Sequence, residues 1–216
     1  SCMEILNVFF AWVRFDGVTS RFARPWMWRE PSMAPLYATG AEFAWRETAW
    51  QQGSRPSPGT NMATYDVPTF VRAVRECCAS EGFESLSEES KLSMLFGAMS
   101  PASGLGRYCS LNLRRLTSYG TLEFRRFHGT LDESVVIRWT HFCAAFVDCF
   151  RAKGSSQPGV ESILGASTAE EALTALADVQ ETATADQLMA EMGGRNFVHG
   201  DTAAFLMRDS GALRVP

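Results

Sequence analysis

Between Arg107 and Asp132 the chain sets Asn112, Glu123 and Arg125 at spacings that bring an amide, a carboxylate and a guanidinium onto one surface. Residues 107–113 alternate in character, and so do residues 121–127, which is the period of a half-buried strand. Successive side chains of a strand point to opposite faces. Thr121, Glu123, Arg125 and Phe127 therefore share one face of the second strand, while Leu122, Phe124 and Arg126 share the other. With Leu111 and Leu113 on the apolar face of the first strand, Ser110 and Asn112 fall beside Glu123 and Arg125. A carboxylate holds a hard cation, a guanidinium grips phosphate or carboxylate with two bonds, and an amide orients a polar ligand. The same alternation also suits a solvated sheet face with a cross-strand polar pair, worth about 0.2–1 kcal/mol.

The elements that must hold this surface are legible around it. Residues 114–120, ending in Tyr119–Gly120, connect the two strands and predict an antiparallel hairpin. Asp132 then caps a helix in which Val135, Val136, Trp139, Phe142, Cys143, Phe146, Val147 and Phe150 keep helical period until Lys153–Gly154. That stripe needs a layer to cover. Upstream, Ile5, Leu6, Phe9, Trp12 and Val13 predict a helix from Met3 to Phe15, buried on one broad face. Asp66 is the expected cap of a helix carrying Phe70, Val71, Val74 and Cys78 and closed by Gly82. Ser85 with Glu88 matches a capping box for the next helix, with Leu92, Leu95, Phe96 and Met99 on one face and Ser100–Pro101 as its stop. The prolines between Pro25 and Pro58 predict a largely irregular stretch that also holds Trp26, Trp28, Trp45 and Trp50. Gly154–Gly159 reads as a linker, followed by helices begun by Ser167 or Thr168 and by Thr184. The expected class is α+β, an antiparallel sheet packed on one face by helices, with residues 1–153 as the main unit and 154–216 as a helical extension.

Composition narrows the partners. At 216 residues, with 46% hydrophobic and 20% charged residues, the chain is long enough to bury a sizeable core. A formal net charge of -4 offers no general field for nucleic acid or an anionic membrane. The six cysteines include adjacent Cys77 and Cys78 but no C-x-x-C pair, which points to free thiols in a reducing, cytoplasmic setting. Ile5 to Val13 has no basic residue ahead of it and no small-residue cleavage site after it, so it reads as a core helix and not a signal peptide.

The run Ser110–Leu111–Asn112–Leu113–Arg114, followed by Tyr119–Gly120–Thr121–Leu122–Glu123–Phe124–Arg125 and then Phe127–His128–Gly129–Thr130–Leu131–Asp132, resembles the C-terminal signature of the amidoligase family. That family carries S-L-N-L, then G-T-[IVL]-E-F-R, an aromatic residue, and G-T-L-D before a helix opening towards a tryptophan, a place that Trp139 fits. The resemblance covers residues 107–150. It implies the glutamine-synthetase-like fold of the carboxylate-amine ligases, and an activity that joins a carboxylate to an amine at the expense of ATP through an acyl phosphate. Mg2+ is then expected on Glu123, the phosphate or substrate carboxylate on Arg125, and a substrate or nucleotide group on Asn112. Arg107, Arg126 and His128 flank these positions.

Two other family elements do not appear in the sequence, a first strand of the form G-[VIF]-E-[IVL]-E and a later H-x-H strand. Gly40–Ala41–Glu42–Phe43 imitates the first, with Ala44 where its second carboxylate belongs, and His128, His141 and His199 stand far apart. The chain is therefore expected to begin after those strands and to be incomplete as a catalyst. The rival expectation is a non-catalytic helical interaction module, in which the hairpin is a brace and the Trp26–Trp50 segment a binding surface. On the ligase reading the partners are small-molecule or peptide amines and carboxylates.

Overall fold

The structure is a computed structural model that describes residues 1–22, 67–97, 111–113, 115–124, 127, 130–152, 159–193 and 201–209. The first helix, α1 (Cys2–Arg14), is its axis. Its predicted extent holds, but its burial is wider than one face: Leu6, Val8, Phe9, Phe10, Ala11, Trp12 and Val13 are all buried. The reason is in the sequence. From Val8 to Val13 every residue is apolar, and a helix with no polar side must be enclosed. The buried Asn7 is the exception, and its side-chain oxygen accepts the Val160 N–H at 3.1 Å.

A one-turn helix α2 (Asp16–Thr19) and a 3-10 turn at Ser20–Phe22 follow. Helix α3 (Val67–Ala79) buries Phe70, Val71, Val74 and Cys77, with Cys78 half-buried; its expected cap Asp66 lies outside the described residues. Helix α4 (Glu88–Phe96) starts two residues later than predicted. Residues Phe83–Ser85 are consumed by a 3-10 turn, so Ser87 caps the helix instead of Ser85, accepting the Ser90 N–H. The helix also stops at Gly97, before Ser100–Pro101. There the backbone turns extended, and a Cβ on residue 97 would drive into the Ser93 carbonyl. Gly97→Ala is therefore expected to cost about 1–3 kcal/mol in denaturant unfolding, and an unchanged midpoint would refute the close approach.

The predicted antiparallel pairing is present among the described residues. Strands β1 (Leu111–Asn112) and β2 (Glu123–Phe124) pair antiparallel, Leu111 with Phe124 and Asn112 with Glu123. The connection folds into a one-turn helix, α5 (Leu116–Tyr119), which buries Leu116 and ends on Gly120 at φ 67. That left-handed conformation suits glycine, since it has no Cβ to clash. Helix α6 (Glu133–Phe150) begins at the predicted cap, Asp132. Val135, Phe142, Phe146 and Phe150 are buried, whereas Val136 is exposed.

Four more helices complete the described chain: α7 (Val160–Gly165), α8 (Ala169–Thr182), α9 (Ala185–Met192) and α10 (Thr202–Asp209). Thr168 and Thr184 cap α8 and α9, each accepting the N–H three residues on. Helix α1 packs against α4, α6, α7 and α8, while α9 and α10 lie on α6. Leu176, Leu188, Met192 and Leu206 belong to the same core cluster as Phe10 and Phe146. Polar contacts reinforce this docking. Arg14 pairs with Glu191 at 2.7 Å, Arg138 with Asp201 at 2.6 Å, and Arg75 donates to the carbonyls of Ile163, Leu164 and Ala166 at the end of α7.

The chain is thus mostly helical, with a two-stranded antiparallel sheet among the described residues. Within the two predicted strands Leu113, Thr121, Leu122 and Phe127 are not paired as strand, and residues 107–110, 125 and 126 lie outside the described residues. No described helix is long and apolar enough to cross a membrane.

Candidate functional site

The ribbon brings two of the predicted residues together. Asn112 and Glu123 stand opposite one another in register, and the Asn112 amide donates to a Glu123 carboxylate oxygen at 2.6 Å. A bond this short from an amide to a carboxylate is a strong one, because the acceptor carries charge. Leu111 and Leu113, on the other side of the first strand, are buried, and the Phe124 ring meets Trp12 edge-on with centroids 5.0 Å apart. Face parity therefore holds across the paired residues.

The open polar face expected from alternation does not hold. Asn112 has a relative exposure of 0%, and Glu123 is half-buried. Both sides of β1 are covered, as its burial pattern shows, so this amide lies inside the protein with its carboxylate partner. In this arrangement Asn112 orients Glu123 and has no surface on which to meet a ligand directly. The carboxylate is the group that can face outward.

Parity also misplaces Phe127. Alternation sets it beside Glu123, yet its ring stacks on Trp139 of α6, centroids 4.6 Å apart and planes 18° from parallel. Phe127 is itself outside the strand, where nothing enforces a period of two. Trp139 in turn stacks on the buried Phe142 at 5.5 Å. The helical stripe marked Trp139 as apolar surface, but the contact across to Phe127 carries no sequence signal of its own.

Arg125 lies outside the described residues, as do Arg107, Ser110, Arg126, His128, His199 and the Gly40–Ala44 and Trp26–Trp50 segments. His141 is on α6, partly buried. Among the described residues no group of three or more His, Cys, Asp or Glu is placed to hold a metal ion. Glu123 supplies one carboxylate. Magnesium that reaches a site on nucleotide phosphates keeps several waters and takes one or two protein carboxylates, so a lone glutamate fits as part of such a shell.

Among the described residues the thiols are buried or half-buried. Cys2, Cys77, Cys78, Cys143 and Cys149 are in the thiol form, and the Cys149 thiol donates to the Glu191 carbonyl. Burial pushes the Cys2, Cys77 and Cys143 thiols up from the ordinary range, and takes Cys78 to about 12. Such groups stay protonated near neutrality, and the thiolate is the reactive form.

The helix that begins just after the ribbon is fixed electrostatically. Asp132 accepts the Ser134 hydroxyl at 2.6 Å and the Ser134 N–H at 2.9 Å. The Ser134 hydroxyl bond, with smaller help from the Ser134 and Val135 N–H groups, holds the carboxyl below its usual value. A lowered folded pKa means that the stabilisation is complete above the unfolded value of about 3.9 and is lost as pH falls through the folded one. The melting-temperature gap between wild type and Asp132→Ala is therefore expected to be constant from neutrality down to about pH 5 and to narrow below about pH 4. A gap that stays constant to pH 2 would rule out the charged cap.

No family model matches the chain, and neither a curated protein nor a solved structure gives a significant match.

Proposed function

We propose that this chain belongs to an ATP-dependent carboxylate-amine ligase with a glutamine-synthetase-like fold, acting in the cytoplasm on small-molecule or peptide amines and carboxylates. The observation that carries the reading is the Asn112–Glu123 pair, an oriented carboxylate on a ribbon backed by leucine and phenylalanine. It is supported by the ordered motif from Ser110 to Asp132 and by the helix that starts at Asp132, as that motif requires.

In the proposed reaction an oxygen of the substrate carboxylate attacks the γ-phosphorus of ATP, and ADP leaves. The amine nitrogen then attacks the acyl carbon of the mixed anhydride, phosphate departs with the bonding pair, and the amine loses a proton to water. Phosphoryl transfer needs positioning and charge neutralisation more than covalent help. Glu123 would hold Mg2+ against the phosphates, and Arg125 would neutralise charge on the transferred group or clamp the acid. The test uses the protein expressed from its whole coding region, with Mg2+, ATP, hydroxylamine and a panel of carboxylates. ATP-dependent hydroxamate formation is the expected result, since hydroxylamine traps an acyl phosphate. Neither hydroxamate nor phosphate release with any acid would overturn the reading.

The complete burial of Asn112 favours a second reading, a non-catalytic interaction module in which the ribbon is a brace. Buried polar pairs of this kind are common in structural roles. A concentration-dependent oligomer whose melting temperature ignores Mg·ATP would select it.

A further inference from the structure

The ring of Trp139 packs against three aromatic rings. Phe127 stacks on it at 4.6 Å with planes 18° apart, Phe142 lies against it at 5.5 Å and 20°, and Phe22 meets it edge-on at 6.4 Å. Phe142 and Phe22 are fully buried, so two of these neighbours are part of the core. Phe127 belongs to the segment that leaves β2, three positions past Phe124. At the other anchor Phe124 is fixed by Trp12, with centroids 5.0 Å apart.

An isolated two-stranded hairpin is marginal in water, so what the ribbon packs against matters. Trp12 grips the apolar side of β2 within the ladder, and Trp139 grips the chain beyond it. We propose that Trp139 is a positioning residue for the site: through its stack on Phe127 it holds the departure of β2 against α6, and so sets where the Glu123 carboxylate stands. Its effect on nucleotide rests on the ligase reading, whereas its hold on β2 does not.

The experiment compares wild type with Trp139→Leu and Trp139→Phe, each expressed from the whole coding region, by amide hydrogen exchange of the 121–127 peptide, and by Mg·ATP affinity in titration calorimetry. Leucine keeps apolar volume and removes the stack; phenylalanine restores an aromatic face. The Leu variant is expected to exchange at least ten-fold faster in the 121–127 peptide while a peptide from α8 is unchanged, and to bind Mg·ATP at least ten-fold more weakly. The Phe variant is expected to recover both. Unchanged protection at 121–127 in the Leu variant would overturn the proposal, as would faster exchange with unaltered affinity in a protein that binds. If wild type itself binds no Mg·ATP, the ligase reading falls, and faster exchange in the Leu variant with recovery in the Phe variant still supports the grip on β2. Should the Leu variant fail to fold, the Phe variant decides alone: loss of both protection and affinity despite a normal α8 would overturn the role of the stack.

Discussion

Replacing Glu123 by glutamine is expected to lower ATP-dependent hydroxamate formation at least about 100-fold while leaving the melting temperature within a few degrees of wild type. The size follows from what the group is asked to do, since removing one electrostatic contact to a developing charge costs about 10²–10³ in rate. The fold is expected to survive because of the local geometry. Asn112 donates to a carboxylate oxygen of Glu123, and the carbonyl oxygen of a glutamine can accept the same bond. The substitution therefore removes charge and keeps shape. Raising Mg2+ should recover part of the lost rate if Glu123 is a metal ligand, because a weaker shell is refilled by mass action. Activity indifferent to Glu123→Gln would leave the ribbon as a brace, and a collapse in stability would mean that the charge itself holds the fold.

How much of this could be read from the sequence depends on whether the signal was local. Helix starts fixed by one side chain were legible: Asp132, Thr168 and Thr184 cap the expected helices because an oxygen beside a free N–H acts within three residues. The Ser85 cap was misread because Ser87 offers the same chemistry two residues later, and the choice is made by the 3-10 turn at Phe83. Facing residues in the ribbon were legible for the pairs Leu111–Phe124 and Asn112–Glu123. What lies over Asn112 was not, since alternation describes only the two faces of one sheet and is silent on what packs there. The wrapping of α1 follows from its composition, yet the partners that wrap it, α8 foremost among them, come from the far end of the chain. Likewise Phe127 finds Trp139 only after the hairpin and α6 have folded back together. The part of the site carried by Arg125 lies outside the described residues.

Trp12→Ala is expected to be the most damaging single change in the core, costing about 3–5 kcal/mol. Trp12 has a relative exposure of 1% and sits on α1 where three elements converge. Its ring meets Phe124 of β2 at 5.0 Å and 75°, and Phe146 of α6 at 5.2 Å and 84°. Each such edge-to-face pair adds about 0.5–1.5 kcal/mol beyond the area it buries, which puts the loss towards the upper end of that range. Collapse cannot easily repair the void, because the neighbouring Phe146 is itself packed against Phe142 and Phe150. Against a total stability of about 5–15 kcal/mol, the loss lowers the melting temperature by roughly 10 °C or more. The change also strips β2 of its anchor within the ladder, so protection of Phe124 should fall before that of α8 does. Trp12→Phe keeps an aromatic edge and is expected to cost less than half as much. Alanine at this position with a stability within 1 kcal/mol of wild type, measured in urea, would show that α1 is not the axis around which the ribbon and α6 are packed.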